Sequence, residues 1–442
     1  FSSSILDEIL VNISAFLRWS SNKEDLDKLS KEESEVKDKI LGCMTSWMPT
    51  KEDISLLNKY EFHPLPIKIL CPISSPSYNV RWTSTLNVYT CAESHIGGIG
   101  KSMGCNLKDL SNPESISLRD LSGQKVAIDT FLVAYQFITS IRARGEGQDG
   151  GPLRDSKGRA ISHLMGFLDR ATVMIENGID PIFIFDGIPH DLKLDTLGER
   201  KLRKDIAKEK WNAAVQSEDW VTAQKLGSQI VSYTREMVAE TKEMFDHMGV
   251  SWIEAPMEAE GAASVHCRNG EVVAVASQDW DVLLYGSPIM IRNLISHGTK
   301  RFGRPVSAEK IILADLLAEN EITQLQLVDL GIMIGTDFHP GIKGIGPKTG
   351  MKLIKKFGTI EAVCQEKGHD IPDNLDQIRE IFHNHPINKN SLPLSGMADE
   401  EKLRFFLQEE RGFSEARMKR ALDRLRSAGR LRDPGQSSIF DF

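Results

Sequence analysis

From Met103 onward, alternating strand and helix signals predict an α/β fold built on a mostly parallel central sheet, and three observations carry that prediction. Short, almost wholly apolar runs (QKVAID at 124–129, PIFIFDG at 181–187, VVAVASQDWD at 272–281) read as strands covered on both faces, the habit of parallel sheets. Charged stretches with helical periodicity separate them. Seven carboxylates, Asp129, Asp186, Glu258, Glu260, Asp279, Asp281 and Asp337, stand where strands end or the following helices begin.

Each element has its own warrant. QKVAID is a buried strand ending in Asp129, and TFLVAYQFITSIRAR after it is an amphipathic helix. GEGQDGGP is a loop, and ISHLMGFLDRATVMIENG a helix that Gly178 terminates. PIFIFDG ends in Asp186. Residues 191–246 are rich in charge and helix formers and carry no strand signal. SWIEAP is a strand, and MEAEGAASVHCRNG a helix holding both glutamates in its first turn. VVAVASQDWD is a further strand ending in acids, and residues 308–334 read as helices ending near Asp337. In PGIKGIGPKTGMKLIKKF (340–357) the glycines permit a tight turn before a helix opening near Thr349.

In an open parallel sheet, ligands bind beyond the carboxyl ends of the strands. Four acid-bearing segments aimed at one such edge repel each other unless a multivalent cation sits among them. All-oxygen ligands select Mg²⁺, with Mn²⁺ as a substitute, over softer metals. A pair of such ions is a standard device for phosphodiester chemistry, stabilising attacking and leaving oxygens. Magnesium keeps several waters, so some of the acids act at one remove. The residues therefore predict a metal-dependent nuclease.

Lys193 and Arg200 lie seven positions apart in a predicted helix, so they share a face, either a solvated charged face or one placed to stabilise a scissile phosphate. Tyr135 follows Asp129 by six positions, either as a core aromatic or as a platform on which a base stacks. The turn at 340–357 offers backbone N–H groups at Gly344 and Gly346 together with Lys343, Lys348, Lys352, Lys355 and Lys356. That is a helix-hairpin-helix type grip on duplex phosphates.

Composition sets outer limits. The 442 residues carry a net charge of −8, so nucleic-acid binding has to rest on local basic patches. No apolar run approaches the ~18–20 residues of a membrane span. Six scattered cysteines without a CxxC argue against a zinc site or a disulfide framework and fit a reducing cytoplasm. Residues 1–102 differ in kind from the rest. They are read as translation upstream of the true start at Met103, with an accessory domain or a linker as alternatives. GGIGKS at 97–102 lacks the first glycine of a phosphate-binding loop, since His95 stands there.

The strings AIDT, YQFITSIR, SHLMGFL, FDGIP, APMEAEGAA, SQDWDVLL, GTDF and GIKGIGPK, in this order over residues 103–442, resemble the flap endonucleases of archaea and eukaryotes. The resemblance implies a 5′ nuclease domain at 103–435. Its N-terminal part is 103–200, its helical arch 191–246, and its internal part 247–435 with the duplex-gripping motif at 340–357. It implies a monomeric enzyme that bends a double-flap DNA junction, threads the 5′ strand beneath the arch and cuts just inside the duplex. The corresponding work is Okazaki-fragment maturation and base excision repair, with some 5′–3′ exonuclease activity, in the cytoplasm and nucleoid of an archaeal-type cell. It assigns the seven acids to metal, Lys193 and Arg200 to catalysis, Tyr135 to base stacking and Arg142 to DNA contact. It also places Gly104 beside the active site and a K⁺ ion in the GIKGIGPK turn.

The ending QSSIFDF (436–442) resembles a sliding-clamp (PCNA) binding peptide anchored by Gln436, Ile439 and Phe442. It stops after the first of the family's two adjacent aromatics, which implies weakened clamp binding. Met257 stands where the family has Ser, and Asp169 where it has an aromatic. The rival readings are a neighbouring nuclease of the same superfamily, an RNA-cleaving domain, and a non-catalytic junction-binding protein that recruits the clamp.

Overall fold

A computed structural model describes residues 105–432 except 146, 302–303 and 389–390. The described residues all belong to the unit spanning 101–442. The readings made for residues 1–102, Gly104 and the tail anchors Gln436, Ile439 and Phe442 lie outside the described residues. Among the described residues no helix is long and apolar enough to cross a membrane.

After an edge strand, β1 (Glu114–Ile116), the chain enters β2 (Lys125–Asp129), α1 (Thr130–Ser140), α2 (Ser162–Glu176) and β3 (Asp180–Phe185). Three helices follow, α3 (Leu194–Gln216), α4 (Trp220–Leu226) and α5 (Arg235–Met248), then β4 (Ser251–Glu254), α6 (Ala259–Arg268) and β5 (Ala274–Ala276). A single helical turn, α7 (Asp281–Leu284), precedes β6 (Ile289–Arg292), the two-stranded ribbon of β7 (Lys300–Arg301) and β8 (Arg304–Pro305), and β9 (Ala308–Ile312). The rest is helical: α8 (Leu313–Asn320), α9 (Gln324–Ile334), α10 (Pro347–Phe357), α11 (Ile360–Lys367), α12 (Leu375–His383), α13 (Glu400–Arg404) and α14 (Glu415–Ser427).

The main sheet runs β1-β9-β6-β5-β2-β3-β4. Its pairings from β6 through β4 are parallel, and β9 and β1 close one side antiparallel. Alternation along each strand divides the side chains between two cores. Ala127, Ile182, Ile184 and Val275 face α6, α9, α11 and α12. Val126, Ile128, Phe183 and Phe185 face α1, α2, α5 and α14. The second core is aromatic: Phe183 stacks on Phe245 at 4.3 Å between centroids, and Phe167 meets both edge-on.

The chain leaves β2 for β3 and β4 on one side and returns to β5 and β6 on the other. The strand order therefore reverses beside β2, and the carboxyl ends of the strands open a crevice there.

Several elements differ from the sequence reading. Residues 308–312, taken as helix, form β9, because pairing with both β1 and β6 outweighs the helical pattern of AEKII. The first strand after Val272 shrinks to Ala274–Ala276, and α1 stops at Ser140 rather than running on to Arg144. Helix α10 opens at Pro347, two residues before Thr349, because proline at the first position needs no N–H partner. The interval 191–246 holds a 3₁₀ turn and three helices and, as read, no strand among its described residues.

The α3–α4 hairpin is latched to the loop at 145–151. Trp211 Nε1 donates to the Asp149 carbonyl at 2.8 Å, and Gln224 Nε2 donates to that of Gly145 at 2.6 Å. Gly150 and Gly227 meet backbone to backbone: a Cβ on Gly227 would lie 2.3 Å from the Gly150 oxygen.

Candidate active site

The acids converge on the crevice beside β2. Asp129 ends that strand and caps α1, its Oδ1 accepting from the N–H groups of Phe131 (2.9 Å) and Leu132 (3.3 Å). Asp186 follows β3, and its Oδ1 accepts from the N–H of Ala259 at 2.7 Å, the first residue of α6. This approach depends on Gly187, whose N–H donates to the Met257 carbonyl at 2.7 Å. A Cβ there would sit 2.1 Å from the Ala255 oxygen. Glu258 is the N-cap residue of α6 rather than a first-turn residue, while Glu260 occupies the first turn, where the helix dipole favours negative charge.

Beyond β5, the Asp279 N–H donates to Ser277 Oγ at 3.0 Å, and Asp279 Oδ1 accepts from the Asp281 N–H at 3.1 Å. Asp281 opens α7, and its Oδ1 accepts from the N–H of Cys105 at 3.1 Å. Asp337 lies in the turn after α9, and its carbonyl accepts from Thr196 Oγ1 at 2.9 Å.

The acids act on one another. Burial raises Asp186 to about 7, with the charges of Asp129 and Glu258 adding to it. Burial raises Asp129 and Asp281 to about 6. Glu260 is pushed well above the carboxylate range by burial and then by Asp279, Asp129 and Asp281. Asp279 is pushed up likewise by burial and by Asp281, Asp337 and Asp129. Without a cation among them these groups hold protons that free carboxylates release.

Two bases enter the cluster from a distance in sequence. Lys193 sits in a short 3₁₀ turn at Asp191–Lys193, not in the helix itself, and Arg200 lies in α3. Lys193 Nζ pairs with Glu258 and, at 3.2 Å, with Asp337 Oδ2. Arg200 pairs with Asp337. Burial works to lower the Lys193 ammonium, but Glu258 and Asp337 outweigh it and hold the group charged.

The donor set suits hard divalent ions: it is all oxygen, largely buried and short of positive charge. Among the described residues no three of the His, Cys, Asp and Glu side chains close into a ready cage. Ions that retain several waters between themselves and the protein match that spacing.

Around the cluster, Tyr135 is partly exposed on α1 rather than in the core. Arg142 is engaged with protein, its Nη1 donating to the carbonyls of Gly150 (3.2 Å) and Gln224 (2.9 Å). In the glycine turn Gly344 has φ +85°, a left-handed conformation, and Gly346 is the N-cap of α10. Lys343, Lys348 and Lys352 are exposed there, with Lys348 paired to Asp109 at 3.2 Å. Sequence reasoning missed Thr196, Ser277 and Cys105, each of which supports an acid. Ser277 stands two residues before Asp279, but nothing local marks the other two.

Residues 101–207 match the XPG N-terminal domain and residues 249–337 the XPG I-region. Flap endonuclease 1 of Methanosarcina barkeri is 41% identical over 335 residues, which cover 75% of this chain and 98% of that protein. Its counterpart in Aeropyrum pernix is 38% identical over 350 residues, 77% of this chain and 99% of its own. Among solved structures, flap endonuclease-1 from Methanococcus jannaschii aligns with a TM-score of 0.58 at 36% identity, over 74% of this chain and 98% of its own. The catalytic core of Rad2 in complex with DNA substrate shares the fold at 21% identity and a TM-score of 0.55, over 72% of this chain and 96% of its own.

Proposed function

The chain belongs to the flap endonuclease family, structure-specific 5′ nucleases that bind and hydrolyse DNA, and we propose that its seven-carboxylate cluster is the hydrolytic centre. The observation that carries this is the convergence of Asp129, Asp186, Glu258, Glu260, Asp279, Asp281 and Asp337 around the buried Lys193 ammonium. Two Mg²⁺ ions, or Mn²⁺ in their place, would be held by these oxygens, directly or through water. When bound, such ions supply neutralisation of charge on the phosphate and a more acidic water.

The protein's own groups do the rest. Lys193 and Arg200 face the acids from the arch side and present positive charge to a phosphate drawn into the crevice. Their pairing with Asp337 and Glu258 keeps them in place while the site is empty of DNA. Tyr135, six residues past Asp129 and partly exposed, offers a ring for an unpaired base. Gly344, Gly346 and Lys348 hold a duplex backbone through N–H groups and charge, with a K⁺ ion at the turn. Arg142 contacts DNA from a guanidinium whose Nη1 is held by the Gly150 and Gln224 carbonyls. The α3–α4 hairpin forms an arch for the 5′ strand. The family resemblance gives Gly104 a part in DNA binding, and Gln436, Ile439 and Phe442 a part in engaging a sliding clamp. The cell's use of this activity is removal of 5′ flaps in lagging-strand maturation and base excision repair.

Cleavage of 5′-labelled double-flap DNA tests the reading. Wild type gives flap-sized products with Mg²⁺ and none with EDTA, and Asp281→Ala binds the junction without cutting it. Full cleavage by Asp281→Ala overturns the assignment of the acids. Junction binding with no metal-dependent product from wild type favours a non-catalytic junction-binding protein instead.

A further inference from the structure

Helix α6 carries two of the seven acids at its start, and it is held from several sides. The N–H of Ala259 donates to Asp186 Oδ1 at 2.7 Å. Ser264 Oγ shares its proton between the Glu260 and Val282 carbonyls, at 2.7 and 3.3 Å, and Arg268 donates to the Tyr285 carbonyl. Gly261 lies among these holds, one residue past Glu260, and it is buried.

A ring fills the space that a side chain at Gly261 would need. A Cβ there would lie 2.3 Å from His385 Cδ2 and 2.5 Å from its Cγ and Nε2, far inside van der Waals contact. The helix backbone therefore rests directly on the imidazole. His385 is 5% exposed, and neither ring nitrogen has a hydrogen-bond partner in good geometry among the described residues. Buried polar groups usually find such partners, so what this ring gives the fold is shape.

The ring is itself fixed. It meets Tyr285 edge-on at 5.2 Å between centroids. Phe382, at the end of α12, meets the same Tyr285 at 4.8 Å and Phe338 at 5.5 Å. Phe338 directly follows Asp337, and Arg379 pins α12 to Asp329 of α9. One rigid support thus reaches both the start of α6 and the turn that holds Asp337.

We propose that His385 is a positioning residue whose ring sets the height of α6, and with it the spacing of Glu258 and Glu260 from the other metal acids. The inference rests on the reading of the two glutamates as metal acids. Gly261→Ala puts a methyl where the ring stands, although alanine is the better helix former. His385→Ala removes the ring. Gly261→Ala/His385→Ala gives the methyl the space that the ring leaves.

The test is Mn²⁺ binding to the full chain, free of DNA, followed by EPR, beside the Mg²⁺ dependence of flap cleavage. Losing an outer support of a metal site weakens binding by about tenfold or more, and Gly261→Ala is expected to do so. His385→Ala should weaken Mn²⁺ binding at least threefold. Each should raise the Mg²⁺ needed for half-maximal cleavage to the same degree. The double variant should bind Mn²⁺ at least threefold more tightly than Gly261→Ala. Unfolding in EDTA shows which variants fold, and a purely structural contact moves that readout without moving the Mn²⁺ affinity of the folded protein.

Wild-type Mn²⁺ affinity in either folded single variant overturns the proposal, as does a double variant no better than Gly261→Ala. If Gly261→Ala does not fold, His385→Ala decides alone. Glu258→Gln/Glu260→Gln distinguishes the two levels. If it loses Mn²⁺ while the Gly261 and His385 variants keep it, only the positioning role fails. If it keeps Mn²⁺, the reading of the glutamates as metal acids fails, and the proposal with it.

Discussion

Asp329 is fully buried on α9, and Arg379 of α12 spans it with two hydrogen bonds, Nε to Oδ1 and Nη2 to Oδ2, both 2.8 Å. The same guanidinium donates to Glu361 of α11 at 2.6 and 2.9 Å. The Ile360 N–H gives Asp329 Oδ2 a further donor at 3.1 Å. Arg379→Leu removes the cation and leaves a carboxylate stranded in the core. Loss of one partner of a buried pair costs about 3–5 kcal/mol. The Glu361 half adds little, since that side chain is 40% exposed and solvent screens it. At about 2.1 cal/mol/K per residue, a domain of roughly 330 residues unfolds with about 0.7 kcal/mol/K, so 4 kcal/mol lowers Tm by about 6 °C. Scanning calorimetry in EDTA at pH 7 reads this directly. The double variant Asp329→Leu/Arg379→Leu removes both charges and should recover most of the loss. A fall under about 2 °C in the single variant, or a double variant no better than the single, refutes the view that a stranded charge sets the cost.

Two further predictions concern the site. Asp129 and Asp281 at about 6 and Asp186 at about 7 bind protons in the fold that the unfolded chain, near 3.8, has released. Between pH 4 and 7 the native state therefore holds more protons, and these groups make the metal-free protein less stable as pH rises. Bound Mg²⁺ needs the charged form, so it should raise Tm more at pH 8 than at pH 5.5; equal shifts at the two pH values count against the cluster. At the glycine turn, Lys348→Ala should weaken junction binding and reduce the slope of log K against log salt by up to about 0.9, and a slope that does not change removes Lys348 from the duplex contact.

The acids were legible because their setting is local. A buried apolar run ending in Asp is visible in IFIFDG or KVAID without knowing the fold, and the sheet then brings the ends together. The lysine-bearing turn was legible for the same reason, since its glycines and proline act within a few residues. The strand β9 was not, because AEKIILADLL keeps a helical period and only its two neighbours make it extended. The supports of the acids were also hidden. Cys105 and Asp281, or Thr196 and Asp337, are brought together by the whole topology, and an isolated Thr or Cys carries no mark of such a partner. Gly187 reads as a turn residue, and only the backbone of Ala255 and Pro256 against it shows why a side chain is excluded.

The latch on the α3–α4 hairpin has a kinetic consequence. Trp211, Gln224, Arg142 and the Gly150–Gly227 contact tie the crown to one short loop, while Thr196 and Arg200 tie its near leg to Asp337. Close-packed junctions of this kind shift between discrete arrangements rather than stretching by degrees. The hairpin then parts from that loop in one step rather than by degrees, and the frequency of that step sets how often its crown is free.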